Sequence, residues 1–149
     1  MSHLTKSDII INDIDILRKA VAGFDGLTWN EGATTYKWYL TDERRKYAYK
    51  EEAAEAESKQ GQCEHSISIK GADYGYEVGV VRRKDGEGWS LVFDPYDLEA
   101  ARKVGNSCEK IVAAYGEAFT RDFAEKNGFI LQESVDSDGN KVFSMPDNG

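Results

Sequence analysis

The chain is poor in the residues from which catalytic and metal centres are built: two cysteines and two histidines among 149 residues. Cys63 and Cys108 stand far apart and outside any Cys-x-x-Cys pair, so spacing gives a structural zinc site no support. In a cytosolic chain two free thiols are expected rather than a bridge. Any histidine-based acid or base must be His3 or His65, and a His3–His65–Cys63 metal set lacks a spacing that locks three ligands together. Proline is as scarce: only Pro95 and Pro146 interrupt the chain, which leaves the stretch between them free to be regular. No apolar run approaches the roughly 20 residues of a membrane span. Met1-Ser2-His3-Leu4-Thr5-Lys6 has no apolar signal core, and a cytoplasmic protein is expected. Positive charge is in deficit, with 19 basic residues against 27 acidic and a net charge of −8. That balance disfavours nucleic acid polymers and anionic membranes, whose binding draws on clustered Lys and Arg.

What is present suffices for a core. Hydrophobic residues make up 40% and aromatics 11%, a composition that argues against disorder and for one domain over residues 1–149. Charged residues at 31% and a mean hydropathy of −0.60 require a well-solvated surface. Lys6–Ile11, ending in three isoleucines, reads as a strand. Asn12-Asp13 offers a cap to a helix with Ile14, Leu17, Ala20, Val21 and Phe24 at helical spacing, closed by Gly23 and Gly26. Thr34–Leu40 alternates with period two and is expected as the next strand. The charged stretch 42–60 has high helix propensity without an apolar stripe and reads as an exposed helical arm. His65–Lys70, with Cys63, His65, Ile67 and Ile69 on one face, and Tyr74–Arg83 follow as strands. Lys84-Asp85-Gly86-Glu87-Gly88 is a hairpin loop returning into Trp89, Leu91 and Phe93. Asp97 opens a helix, and Asn106-x-x-Glu109 resembles a capping box before a long helix with Ile111, Val112, Tyr115, Ala118, Phe119, Phe123 and Ala124 as its apolar stripe. Phe129–Val135 and Lys141–Met145 flank a last hairpin, and 146–149 should fray. The order β-α-β, charged arm, β-β-β-α-β-β predicts an α+β fold: an antiparallel sheet with two amphipathic helices on one face, in ferredoxin-like layering. The other sheet face is then half exposed or covered by a partner.

Several of these segments, in this order, resemble one family. They are Met1-Ser2-His3, Cys63-Glu64-His65-Ser66-Ile67, Tyr76-Glu77-Val78-Gly79-Val80-Val81-Arg82-Arg83, Tyr115, Asn127-Gly128-Phe129 and Asp138-Gly139-Asn140. The family is a conserved one of unknown function that includes the plastid and cyanobacterial hypothetical chloroplast reading frame thirty-five proteins. The chain departs from it at Leu4, where Phe would be expected, and at Pro95-Tyr96, where another aromatic and a glycine are more usual. The resemblance implies a cytoplasmic or stromal protein with relatives in bacteria and their phages, and implies no activity.

Candidate functional residues come from three patterns. His65 shares a strand face with Ile67 and Ile69, which suits a half-buried histidine better than a ligand. Cys108, near a helix start, could have a lowered pKa and serve as a nucleophile, and Asp94 with Asp97 could do acid–base work, although turn and cap roles explain that pair more simply. Arg82-Arg83-Lys84 is the sharpest basic patch, able to grip a phosphate or carboxylate. Tyr36, Trp38, Tyr74, Tyr76, Trp89 and Phe93 lie on neighbouring expected strands. Either most of these rings fill the core or several share the open sheet face as a platform for a partner or for base stacking. The leading expectation is a non-enzymatic, self-associating acidic interaction protein that binds a protein partner through sheet aromatics and the charged arm. The alternatives are a small anionic ligand or nucleotide-binding protein, a phage-encoded sequestering protein being one instance, and an enzyme with an unrecognised site. No cofactor is indicated.

Overall fold

A computed structural model describes residues 4–7, 9–41 and 61–144; the charged stretch 42–60 and the tail 146–149 lie outside the described residues. The fold is α+β, as the element order predicts. Five strands, β1 (Thr5–Lys6), β2 (Leu27–Asn30), β3 (His65–Ile69), β4 (Val78–Arg82) and β5 (Trp89–Phe93), form an antiparallel sheet in the order β1-β5-β4-β3-β2. Three helices, α1 (Ile14–Ala22), α2 (Leu98–Val104) and α3 (Glu109–Lys126), pack on one face of it. A separate ribbon, β6 (Gln132–Val135) with β7 (Lys141–Ser144), follows.

Strand alternation sorts the side chains. Ile67, Ile69, Val78, Val80, Leu91 and Phe93 face the helices and bury against Ile16, Leu17, Val21, Ala100, Val104, Ile111 and Tyr115. The helices are tied at their ends by specific groups. Asp13 accepts from the Asp15 and Ile16 amides at the start of α1, and the Tyr115 hydroxyl accepts from the Asn12 and Asp13 amides at 3.3 and 3.2 Å, pinning α3 to that corner. Asp97 caps α2 through the Ala100 amide.

The opposite sheet face is not left open. Thr34–Leu40 does alternate, with Tyr36 and Trp38 buried and Thr35 and Lys37 exposed, but it is no strand of the sheet. Among the described residues it makes a single bridge, Thr35 to Gln62, and one further backbone bond, from the Glu77 amide to the Lys37 carbonyl at 2.9 Å, and then turns into a 3-10 segment at Tyr39–Thr41. Its rings lie in a second cluster with Leu4, Cys63, Val81 and Val92, on the side of the sheet away from the helices. The strand that pairs with β3 is Leu27–Asn30, which is too short and too mixed to show a period of its own. Cys63 belongs to this second cluster and not to the face of Ile67 and Ile69.

Other boundaries shift for local reasons. The expected strand Lys6–Ile11 is broken: position 6 pairs with 92 and position 11 with 89, so five steps oppose three. The Ser7 hydroxyl takes the Leu91 amide at 3.1 Å in place of a carbonyl, and Ile9 and Ile10 are thrown outward. Tyr74 and Tyr76 precede β4 because Asp97 takes their backbone amides out of the ladder. The capping box at Asn106 does not form: α3 begins after Cys108, which sits in the left-handed region at φ 62° with no side-chain cap.

Candidate functional site

The six rings expected to share one face are scattered over the molecule. Tyr36 and Trp38 are 3% and 0% exposed, Tyr76 is 1% exposed, and Phe93 is in the main core. Tyr36 is held by more than burial: its ring lies on Gly79 and its hydroxyl accepts from the Gly61 amide at 3.2 Å. Tyr74 is exposed in a surface group with Tyr96 and Tyr39, ring centroids 5.6 and 5.2 Å apart along that chain. Trp89 is half-buried at the far end of β5, its indole N–H on Glu64 at 3.0 Å. A sheet-face aromatic platform is therefore absent among the described residues, because the chain's own 34–41 segment occupies the face that the helices leave uncovered.

The basic patch is likewise divided. Arg82 pairs side-on with the Glu64 carboxylate (2.7 and 3.2 Å) and stacks over the Trp89 ring at 4.6 Å. The Arg82 guanidinium holds the Glu64 carboxyl below its ordinary range. Arg83 pairs with Asp85 across the hairpin at 3.1 Å.

The groups that could do chemistry are committed to structure. His65 Nδ1 accepts from the Gly32 amide at 3.0 Å, and its ring lies 5.1 Å from Trp29. That places the lone pair on Nδ1 and the proton on Nε2. Neighbouring Glu31 takes Arg18 and the Trp29 indole, and the Arg18 contact is the larger cause of its lowered pKa. Asp94 accepts from the Tyr39 and Tyr96 amides, and Asp97 from those of Asp73, Tyr74, Tyr76 and Ala100; both carboxylates are fully buried. They are turn and cap residues rather than an acid–base pair. Cys63 donates to the Ala33 carbonyl, and burial pushes its thiol up to about 11. Cys108 is expected to be activated by the helix start, but burial raises its pKa instead, with Glu109 adding to the effect. No group of three His, Cys, Asp or Glu residues fit to hold a metal occurs among the described residues.

The exposed apolar surface lies elsewhere, along α3. Phe119 and Phe123 are 44% and 46% exposed although they belong to the expected core stripe. Phe129 stacks on Phe123 with ring planes 16° apart, Phe119 contacts Tyr115, and Ile130 follows, 75% exposed. The charges beside this run are matched within the chain: Lys126 with Asp122 at 2.9 Å and Arg121 with Glu133 at 2.6 Å. A signal for it was available in the sequence. Phe123 and Ala124 stand about 100° apart on a helix, so a stripe holding both is wider than one packing face; Ala124 is the buried one.

No family model matches the chain, and no curated protein and no solved structure is significantly similar to it. Among the described residues no helix is long and apolar enough to cross a membrane.

Proposed function

We propose that the chain is a non-enzymatic interaction protein that associates with a second copy of itself across the aromatic side of α3. The observation that carries the reading is the run Phe119, Phe123, Phe129 and Ile130, apolar and exposed, with Phe129 stacked on Phe123. Large exposed rings set together mark association surfaces more often than solvated ones. Two arguments favour a second copy as the occupant. The cations beside the run are already matched, which leaves it near-neutral, so a chain that also carries −8 meets least repulsion there. An apolar helix side is also self-complementary about a two-fold axis, as an isologous dimer requires. The non-catalytic part is supported by the commitment of His65, Asp94, Asp97 and both thiols to structural contacts. The sheet aromatics have no part in this reading, since Tyr36, Trp38 and Tyr76 are internal.

Sedimentation equilibrium with native mass spectrometry tests it. The wild-type chain should reach a dimer at micromolar concentration, and Phe123→Lys should be monomeric with its thermal midpoint little changed. A wild-type chain that stays monomeric at the highest soluble concentration would end the proposal.

A further inference from the structure

On the side of the sheet away from the helices, next to the Tyr36–Trp38 cluster, lies a cavity of about 490 Å³. It is lined by Lys6, Val81, Arg82, Arg83, Lys84, Asp85, Ser90 and Val92, with volume in the range of small-molecule sites. Register explains how these residues meet. Val81 pairs with Ser90 and Lys6 with Val92, so both pairs project from the same sheet face, and the hairpin after β4 brings Arg83 and Lys84 over its end.

Two features distinguish this cavity from a solvated groove. The first is Ser90, which is 2% exposed and whose hydroxyl has no hydrogen-bond partner among the described residues. A buried hydroxyl without a partner costs free energy, and those that persist call for an explanation. The second is the charge balance. Arg82 is answered by Glu64 and Arg83 by Asp85, but Lys6 and Lys84 form no ion pair among the described residues. A chain with eight excess negative charges thus keeps two unanswered ammonium groups at one cavity.

We infer that this cavity binds the phosphate monoester of a small organic molecule. A monoester carries about −1.5 to −2 charges at neutral pH, which two free lysines balance. The Ser90 oxygen is covered in the empty cavity, and a turn of its side chain toward the ligand would give it the hydrogen bond it lacks, while Val81 with Val92 gives the ligand's apolar body a floor. The space exceeds what a bare phosphate fills, so an organic part belongs to the ligand. Polymeric nucleic acid is disfavoured because the acidic surface beyond the cavity repels an extended backbone. The inference stands independently of self-association at α3.

Isothermal titration of the full chain with phenyl phosphate, inorganic phosphate and benzoate provides the test. Phenyl phosphate should saturate one site per chain and bind about tenfold more tightly than either inorganic phosphate or benzoate. Lys6→Glu combined with Lys84→Glu should weaken it by at least about tenfold. Ser90→Ala should weaken it several-fold while raising the thermal midpoint of the ligand-free chain, which separates loss of a ligand contact from loss of fold. Affinity should also fall as pH drops through about 6, where the monoester takes up its second proton. Absence of saturable phenyl phosphate binding, benzoate binding as tightly, or an unchanged affinity in the double lysine variant would overturn the assignment.

Discussion

Gly79→Ala probes how the sheet face away from the helices is closed. Gly79 lies in β4 opposite Ser66 and Val92, with a backbone conformation that any residue adopts. A methyl there would run into Tyr36 Cδ1 and come within 2.6 Å of Cε1. Ordinary carbon contacts are about 3.5–4.0 Å, so the ring must retreat by about 1 Å from a site where it is 3% exposed. Overpacking of that size costs about 1–3 kcal/mol. Against it stands the gain of about 0.5–1 kcal/mol from replacing a strand glycine. The net is a loss of up to about 2.5 kcal/mol, or a fall of up to about 10 °C in thermal midpoint for a chain of this size. In a Tyr36→Ala background the obstacle is gone, and the same substitution should stabilise by about 0.5–1 kcal/mol. Thermal unfolding followed by near-UV circular dichroism on all four members of the cycle measures the coupling. If Gly79→Ala has the same effect in both backgrounds, the ring does not lie on Gly79 and the account of that face is wrong.

Alkaline pH should destabilise the same cluster. Burial pushes the Tyr36 phenol from 10.0 to about 12 and the Cys63 thiol from 9.0 to about 11. The folded state therefore holds these protons more tightly than the unfolded chain. Stability is full below the unfolded values and declines as pH rises toward the folded ones, with Tyr36 accounting for up to about 2–3 kcal/mol. Chemical denaturation at stepped pH should show the decline, and Tyr36→Phe should flatten its upper part; a wild-type curve that is level from pH 9 to 12 would refute it. Asp97→Ala should cost about 3–5 kcal/mol, since it strands the amides of Asp73, Tyr74, Tyr76 and Ala100 at once. Urea titration reads that loss, and a change under 1 kcal/mol would show that Asp97 is not the tie between the 73–76 loop and α2.

The legible parts of the fold were those where local chemistry and tertiary packing agree. Asp13 and Asp97 cap the helices their positions announce, and the Asp85-Gly86 turn joins β4 to β5. Strands β3 and β5 show their period because one face of each is buried against helices throughout. The 34–40 segment is the instructive failure. Its alternation is genuine, since Tyr36 and Trp38 are both buried, but period two records which side chains are covered and not whether the backbone pairs. β2 was hidden for the converse reason: Leu27–Asn30 pairs fully with β3 while its four residues carry only a mixed burial pattern. The site residues divide the same way. Arg82, Arg83 and Lys84 could be picked out as a basic run and Asp85 stands beside them, but the pairing of Arg82 with Glu64 and the addition of Lys6 from the first strand depend on register between distant segments. Ser90 carried no signal, because a serine in a strand looks the same whether or not its hydroxyl finds a partner.

The two sheet faces differ in what they can do for this reason. The face under the helices is filled by apolar side chains of three helices, and the Tyr115 hydroxyl among them takes the Asn12 and Asp13 amides. Among the described residues the other face is covered mainly by one extended segment, whose two rings reach Gly79, Val81 and Val92 but leave Ser90 Oγ and the Trp38 indole N–H without partners there. A helix laid on that side would have brought enough side chains to satisfy or exclude the hydroxyl; two rings on an extended backbone do not. The unfilled volume and the unanswered lysines are thus a consequence of how the chain closes its second layer. An unpartnered hydroxyl at Ser90 costs about 1–3 kcal/mol, which a ligand bound in the proposed site would offset.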